Sequence, residues 1–334
     1  MQAVNLRWVI AAIVVAVVVL VTAAANLWLH GGKEASRLAE AERTRCLPPS
    51  VGAPQARAGM VWVPGGTFTM GDTFYPEEEP LREVTVEGFW MDRTEVTNAE
   101  FAAFVDATGY VTVPERPVDT VAHPGLPPEM QKPGAVVFIM PNDVSGMGDI
   151  SQWWQYVPGA NWRHPGGPDT SIEGRERFPV TAIAHEDALA YAAWKGRVLP
   201  SEAQWEWASR AADPDAPNPR AQPREANTWQ GIFPVINEAE DGFAGIAPVG
   251  CFEPNALGLY DMIGNLWEWT ADAYEGAPGT RVIKGGSWLC APSYCLRYRP
   301  GARQPQEADL ATTHLGFRTI TLSATPESAG RISP

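Results

Sequence analysis

Residues 110–177 form a long segment without helical or strand periodicity in its apolar residues. Pro and Gly recur throughout this segment, which also carries Trp153, Trp154 and Trp162. The whole chain contains 31 Gly, 31 Pro and 14 Trp, a composition that fits neither a helical bundle nor a disordered chain. An aperiodic segment of this length is usually functional or forms an elaborate surface loop. The sequence therefore predicts a loop-rich α+β domain with short strands, a few helices and an aromatic core.

Local signals place regular elements before that segment. The alternation around the Pro-Gly-Gly turn of "MVWVPGGTFTMG" (60–71) predicts a hairpin. Residues 82–109 are predicted to form a strand and then a helix, which begins with a capping box of Thr97 and Glu100. The buried stripe of this helix is predicted to comprise Phe101, Phe104 and Val105.

Two more helices are predicted after the segment, over residues 185–196 and 200–212. Ser201 and Gln204 form a capping box at the start of the second. One broad side of the first is predicted to comprise Ala188, Tyr191, Ala192 and Trp194. Short strands between Gly, Pro and Asn turns follow. The folded domain is expected to span residues 60–324, with a flexible tail over residues 325–334.

The N-terminal 30 residues form a separate unit. Residues 8–25 carry no charge, and the apolar run reaches Leu29 with one interruption at Asn26. At about 1.5 Å per residue, such a helix can span a hydrocarbon core of roughly 30 Å. We interpret residues 1–30 as a transmembrane anchor, and the alternative is a signal peptide cleaved after the alanines before Asn26. Residues 31–59 follow as a charged stalk and a Pro/Gly linker.

The orientation of this anchor is ambiguous. One arginine precedes the apolar run, whereas four basic residues follow it within 20 positions, so a literal count keeps the domain in the cytoplasm. The short tail ahead of Arg7 resembles a signal-anchor start and favours the other side of the membrane. We expect a membrane-anchored protein with an extracytoplasmic, periplasmic domain. The formal net charge of −14 argues against nucleic acid as a partner.

The stretch "GGSWLCAPSYCLRYRPGAR" (285–303) holds two of the chain's four cysteines, Cys290 and Cys295. A structural zinc site would need a second pair of ligands, and all five histidines stand singly. Pro292 introduces a bend that could close the pair as a disulfide. The same bend could present two thiolates to a soft ion such as Cu(I). The three arginines of this stretch either lower the thiol pKa or form ion pairs within this acidic protein.

These residues closely resemble the active-site segment of the formylglycine-generating enzymes, the sulfatase-modifying factors. The resemblance covers nearly the whole globular part, through "LPSEAQWEWA" (199–208), "GLYDMIGNLWEW" (258–269) and "GFR" (316–318). Those motifs mark a wider superfamily that includes non-catalytic members, whereas "GGSxxCxxxYC" with both cysteines marks the true enzymes. The resemblance implies the α+β formylglycine-generating-enzyme fold of the C-type-lectin-like superfamily.

Enzymes of that family oxidise a cysteine within a Cys-x-Pro-x-Arg segment of an unfolded sulfatase to Cα-formylglycine, using O2. The resemblance implies that Cys290 and Cys295 bind Cu(I) and that a thiol reductant supplies electrons. It also implies a pocket for oxygen and the substrate thiol lined by Ser287, Tyr294 and Trp269. Without the resemblance, Ser287 would equally fit a turn hydroxyl and Trp269 a core residue. His314 and Ala291 stand at positions that vary within the family, so proton transfer is left unassigned.

The family also binds structural calcium. One implied site consists of Asn227, the Thr228 carbonyl, Asp241 and the Phe243 carbonyl. A second consists of Asn265, Glu268 and the carbonyls of Ile263 and Leu266. Glu95 matches an acidic residue near such a site. Oxygen ligands of these kinds on loops suit Ca²⁺, although each residue alone would be an ordinary turn or cap residue.

The leading hypothesis is a membrane-anchored, copper-dependent protein-cysteine oxidase that matures sulfatases. The first alternative is a non-catalytic binding or sensor module of the same fold, and the presence of both cysteines weighs against it. The second is an iron-dependent sulfur-transferring oxidase, which would need a histidine-rich site that single histidines do not provide. Cys46 and Cys251 are expected to be incidental or to form a disulfide with each other.

Overall fold

The computed structural model describes residue 46, residues 59–121 and residues 123–322. The predicted anchor (1–30), nearly all of the stalk and linker (31–59) and the tail (325–334) lie outside the described residues. Within the described ranges, no helix combines the length and apolar character needed to cross a membrane.

Short elements make up the regular structure of the described residues. The helices are α1 (Asn98–Thr108), α2 (His185–Trp194) and α3 (Glu202–Ser209). The strands are β1 (Met60–Val63), β2 (Gly66–Met70), β3 (Arg82–Val86), β4 (Phe89–Asp92), β5 (Gly134–Phe138), β6 (Trp154–Pro158), β7 (Gly231–Ile232), β8 (Ile236–Asn237), β9 (Trp267–Ala273), β10 (Thr280–Lys284), β11 (Arg303–Glu307), β12 (Leu315–Gly316) and β13 (Ile320–Thr321).

These strands form several small sheets instead of one large sheet. A four-stranded sheet has the order β11-β10-β9-β12, and a three-stranded sheet has the order β1-β4-β13. The pairs β2-β3, β5-β6 and β7-β8 form separate ribbons. β10 lies antiparallel to both β9 and β11, while β12 runs parallel to β9. The predicted loop-rich α+β architecture is confirmed.

The prediction of a hairpin at residues 60–71 is wrong, because its two strands do not pair with each other. β1 pairs with β4 and β2 pairs with β3, so the Pro-Gly-Gly turn joins two different sheets. The turn wraps around Trp207 of α3, whose indole N–H donates to the Pro64 carbonyl at 2.8 Å. A Cβ on Gly66 would overlap the same indole ring. Packing against Trp207 therefore separates two strands that local alternation would pair.

Both predicted capping boxes are confirmed. The Glu100 N–H donates to Thr97 Oγ1 at 3.3 Å, and the Thr97 N–H donates to the Glu100 carboxylate at 2.9 Å. Ser201 and Gln204 make the same reciprocal bonds at 3.1 and 2.9 Å. The predicted core residues of α1 and α2 are buried except Trp194, which is 38% exposed because α2 ends there, at the rim of the core.

The aperiodic segment contributes a ribbon and much of the aromatic core. β5 and β6 pair antiparallel within it, and Trp153 and Trp162 are buried. Trp153 packs in a cluster with Trp229, Phe233 and Trp288. Because aromatic side chains bury a large area each, this cluster can order a segment that has little regular structure.

Candidate active site

The loop between β10 and β11, residues 285–302, carries both cysteines and is called the cysteine loop below. Two successive turns shape it: the Cys290 N–H donates to the Ser287 carbonyl at 2.9 Å, and the Cys295 N–H to the Ala291 carbonyl at 3.0 Å. The turns, with the bend at Pro292, bring the two cysteine Cα atoms to 4.5 Å.

Cys290 and Cys295 form a disulfide in this structure. Cys46 and Cys251 are disulfide-bonded as well, so no described cysteine is a free thiol. Two-electron reduction of the Cys290–Cys295 bond would give the two thiols that metal binding requires. The disulfide and this dithiol would be two redox states of one site.

This disulfide lies in the wall of a cavity of about 920 Å³. Such a volume is at the upper end of the range for ligand pockets, roughly 300 to 1,000 Å³. The cysteine loop contributes Ser287 and Tyr294 to the lining. Other lining residues come from distant parts of the chain and include Glu129, Trp154, Trp267, Gln306 and His314. Both residues that the family resemblance assigned to the pocket from this loop thus face the same space as the cysteines.

Trp269, which the resemblance assigned to the pocket, is not among the residues that line this cavity. It is fully buried in the core, where its indole N–H donates to the Ile183 carbonyl at 3.5 Å and its ring meets His185 edge-on. Trp267 lines the cavity instead, and its backbone N–H donates to the His314 carbonyl at 3.0 Å. The two tryptophans share one face of β9, but a strand advances about 3.3 Å per residue, so only one of them reaches the cavity.

His314 is a half-buried imidazole in the cavity wall. Its Nδ1 lies 2.9 Å from Thr312 Oγ1, and its ring centroid lies 4.6 Å from that of Trp154. Burial lowers the pKa of His314 to about 3, because the charged form is costly away from water. At neutral pH this residue can therefore exchange hydrogen bonds with a bound molecule without adding a charge.

The arginines of the cysteine stretch form ion pairs, as one of the two alternatives for their charge predicted. Arg297 pairs with Glu77, and Arg299 pairs with Asp72 and Glu78. The side chain of Arg299 is only 1% exposed. These pairs neutralise the arginines, so their charges do not act on the thiols as free cations.

Sequence reasoning missed Trp154, Trp267 and Phe233. Trp154 lies in the aperiodic segment, where periodicity gives no signal. Phe233 lies in the short turn between β7 and β8 and stacks on Tyr294. The tryptophan pair in "NLWEW" was a visible signal, but the sequence does not say which member faces the cavity.

Residues 49–322 match the family described as Sulfatase-modifying factor enzyme 1-like domain. This chain belongs to the sulfatase-modifying factor family. It is 47% identical over 292 residues to the formylglycine-generating enzyme of Mycobacterium tuberculosis, covering 78% of this chain and 97% of that protein. The formylglycine-generating enzyme of Thermomonospora curvata is 44% identical over 298 residues, covering 80% of this chain and 94% of that protein. The solved structure of PvdO from Pseudomonas aeruginosa superimposes with a TM-score of 0.53 at 25% identity, covering 82% of this chain and 98% of that chain.

The residues of the first calcium site implied by the sulfatase-modifying factor family lie close together. The Asp241 carboxylate accepts from the Thr228 N–H at 3.2 Å, from the Gln230 side-chain N–H at 2.8 Å and from the Phe243 N–H at 2.9 Å. Asn227 lies beside Thr228 and donates to the Gly245 carbonyl at 2.9 Å. Burial raises the pKa of Asp241. A bound cation would offset that cost, and an acid, an amide and carbonyls on loops are ligands that suit Ca²⁺.

The second implied calcium site does not fit. Both carboxylate oxygens of Glu268 accept from the Arg318 guanidinium at 2.7 to 3.0 Å, and one also accepts from the Trp205 indole at 2.9 Å. The Asn265 side-chain oxygen accepts from Asn227 and from the Ala247 N–H, both at 3.0 Å. A cation would have to displace Arg318 from Glu268. No calcium role is therefore derived for Glu268, Asn265, or the carbonyls of Ile263 and Leu266.

Glu95 lies next to this second set in the core. Its Oε1 accepts from the Asn265 side-chain N–H at 2.9 Å, and the residue is fully buried. Burial raises its pKa well above the ordinary range, and the nearby Asp261 carboxylate raises it further. Since Asn265 also contacts Asn227, Glu95 is linked to the first calcium set through one intervening side chain.

Proposed function

We propose that this protein oxidises a cysteine of an unfolded sulfatase, within a Cys-x-Pro-x-Arg segment, to Cα-formylglycine, using O2 and copper held by Cys290 and Cys295. The observation that carries the proposal is the position of these two cysteines in the wall of a large cavity. Membership in the sulfatase-modifying factor family supports the substrate class. The cavity of about 920 Å³ beside the two cysteines supports access of a peptide to them.

The cysteine pair fits a soft metal ion once it is reduced. Two sulfurs from Cα atoms 4.5 Å apart are the soft ligands that suit Cu(I). Cys290 is 1% and Cys295 is 7% exposed, so little water competes for the ion. Copper bound at this pair would supply the one-electron chemistry through which O2 attacks an unreactive C–H bond.

Residues of this chain prepare the site around the sulfurs. The Ser287 N–H lies 3.4 Å from Cys290 Sγ, and a hydrogen bond to sulfur favours the thiolate over the thiol. Tyr294 and Trp267 provide aromatic walls. His314 adds a polar group that carries no positive charge at neutral pH, because burial lowers its pKa. The thiols therefore adjoin a cavity whose lining combines aromatic rings with polar side chains such as Ser287 and His314.

The overall reaction balances with a thiol reductant. One substrate cysteine, one O2 and two reductant thiols give one formylglycine, hydrogen sulfide, water and one disulfide of the reductant. Four electrons reduce O2, two of them from the substrate carbon and two from the reductant.

The test incubates the reduced protein with Cu(I), a thiol reductant, O2 and a peptide that contains Cys-x-Pro-x-Arg. Mass spectrometry of the peptide then follows the mass loss that accompanies conversion of cysteine to aldehyde. We expect conversion by the intact protein and none by Cys290→Ser or Cys295→Ser. A matched control is Arg197→Lys, which weakens an ion pair with Asp92 away from the cysteine loop and should convert normally.

A folded, reduced and copper-loaded protein that leaves the peptide unchanged would contradict the proposal. That result would favour a non-catalytic binding module of the same fold, for which the disulfide between Cys290 and Cys295 would be a permanent structural bond. Protease accessibility in spheroplasts tests the periplasmic location that the N-terminal segment predicts.

A further inference from the structure

Carboxylates of α3 hold the two ends of the cysteine loop together. Lys284 and Arg303 are cross-strand partners at the base of the loop. Like charges directly opposite each other in a sheet repel. Glu202 lies against both cations, with its Oε1 3.6 Å from Lys284 Nζ and 2.9 Å from Arg303 Nε. Glu206 adds a contact of 3.0 Å to Lys284 Nζ. The base of the loop is thus closed by buried charge pairs.

A second anchor holds the middle of the loop, next to Cys295. The Nε–H of Arg299 donates to the carbonyl of Leu296, the residue that follows Cys295, at 2.9 Å. The outer nitrogens of the same guanidinium donate to both oxygens of Glu78, one of them at 3.0 Å, and also to Asp72. The planar guanidinium therefore ties the backbone beside Cys295 to the 3-10 turn Pro76–Glu78.

We propose that Arg299, held by Glu78, is a positioning residue that keeps Cys295 beside Cys290 after their disulfide has been reduced. Reduction removes the covalent link, and two thiols on an untethered loop would separate. A rigid fork that fixes the adjacent carbonyl keeps the sulfurs at high effective concentration. The same spacing serves disulfide reformation and the binding of a soft metal ion, so the inference rests on the proposed function only for the use of the dithiol.

A lysine at position 299 separates this role from a simple effect of charge. Lysine keeps the positive charge but lacks the planar fork and cannot hold the Leu296 carbonyl and both Glu78 oxygens at once. If Arg299 acted only by its charge on the thiols, Arg299→Lys would behave like the unaltered protein. If it acts by geometry, Arg299→Lys loosens the pair.

The experiment equilibrates the full chain and its variants with reduced and oxidised glutathione. In this exchange two glutathione thiols are oxidised to glutathione disulfide while the Cys290–Cys295 bond becomes two thiols. Alkylation and peptide mass spectrometry give the oxidised fraction of this pair separately from Cys46 and Cys251. For Arg299→Lys we expect a shift of about tenfold toward the dithiol, equal to about 30 mV. Glu78→Gln should shift the equilibrium in the same direction.

Arg197→Lys is the matched control, because it also weakens an arginine–carboxylate pair but lies away from the cysteine loop. It should leave the glutathione equilibrium within twofold of the unaltered protein. Competition with a chromophoric Cu(I) chelator provides a second readout, in which Arg299→Lys should bind Cu(I) about tenfold more weakly. Thermal unfolding of each variant verifies that it is folded.

The proposal is overturned if Arg299→Lys and Glu78→Gln both match Arg197→Lys in the glutathione equilibrium and in Cu(I) affinity. Should Arg299→Lys fail to fold, Glu78→Gln decides by the same criterion. If both variants fail to fold, the contact between Arg299 and Glu78 is structural and the proposal is rejected. Neither readout uses a sulfatase peptide or turnover. If the peptide is not converted, the positioning role of Arg299 is therefore unaffected. If Arg299 proves not to position Cys295, the proposed oxidation is likewise unaffected.

Discussion

The ring of Phe233 stacks on the ring of Tyr294, with centroids 3.9 Å apart and planes inclined by 8°. Phe233 also meets Trp153 and Trp229 edge-on, at 5.7 and 5.2 Å. Tyr294 thus has a buried aromatic support in Phe233. This support fixes the orientation of a residue that adjoins the cysteine pair.

Phe233→Leu removes that support. We expect a loss of about 1–2 kcal/mol in the free energy of unfolding, because an aromatic pair contributes about 0.5–1.5 kcal/mol beyond its buried area. Peptide conversion should slow as Tyr294 loses its fixed orientation. Denaturant unfolding and the conversion assay measure the two effects. Phe68→Leu, which alters a buried aromatic pair with Trp207 elsewhere, should cost similar stability and leave conversion intact.

His314 should make stability depend on pH. Its pKa is about 3 in the folded protein, below the ordinary value of 6.5. As pH falls below 6.5, the unfolded chain takes up a proton that the folded protein refuses, so stability is lost. The slope from this one group reaches at most about 1.4 kcal/mol per pH unit.

His314→Asn tests this prediction, since asparagine is polar but does not titrate in this range. Free energies of unfolding measured at pH 7 and pH 5 should differ less for the variant than for the unaltered protein. Equal differences would show that His314 is not the group responsible. The pKa of His185 is also lowered by burial, to about 4, so part of the pH dependence should remain in the variant.

Calcium should stabilise the protein through Asp241 and not through Glu268. At a concentration of about 100 times its dissociation constant, a ligand of the folded state adds about 2.7 kcal/mol to stability. We expect a higher thermal midpoint in calcium than in a chelator, and loss of this difference in Asp241→Asn. Glu268→Gln should keep the difference. Loss of the calcium effect in Glu268→Gln alone would reverse the assignment of the two sites.

Glu268→Gln should nevertheless destabilise the fold strongly. It leaves Arg318 buried without its bidentate carboxylate, and breaking one partner of a buried pair typically costs about 3–5 kcal/mol. Denaturant unfolding measures the loss. The double variant Glu268→Gln/Arg318→Met should recover part of it, because no unpaired charge is then buried. A loss below about 1 kcal/mol in the single variant would mean that water solvates Arg318.

Local sequence signals predicted the parts of this fold that depend on neighbouring residues. The capping box of Thr97 and Glu100 involves atoms three positions apart, and its bonds form as predicted. The bend at Pro292 is also local, since it lies within five residues of both sulfurs, but the sequence left open whether the cysteines form a disulfide or two thiols. The family motif around these cysteines also identified the cavity residues Ser287 and Tyr294.

Long-range packing decided what the sequence left open. Strand alternation at residues 60–71 was visible, but Trp207, more than 130 positions away, determined that these strands do not pair with each other. In "NLWEW", both tryptophans are equivalent by pattern, and only the register of β9 against β12 places Trp267 at the cavity.

By itself, the sequence determined the loop-rich α+β class, the helix starts and the cysteine pair, because each depends on composition or on residues close in the chain. Only the tertiary structure decided which carboxylates serve which cations. Glu268 resembles a calcium ligand by motif, yet Arg318, fifty residues away, takes both of its oxygens. A carboxylate is satisfied by whichever positive group the fold brings within hydrogen-bonding distance, and that choice depends on packing between distant segments.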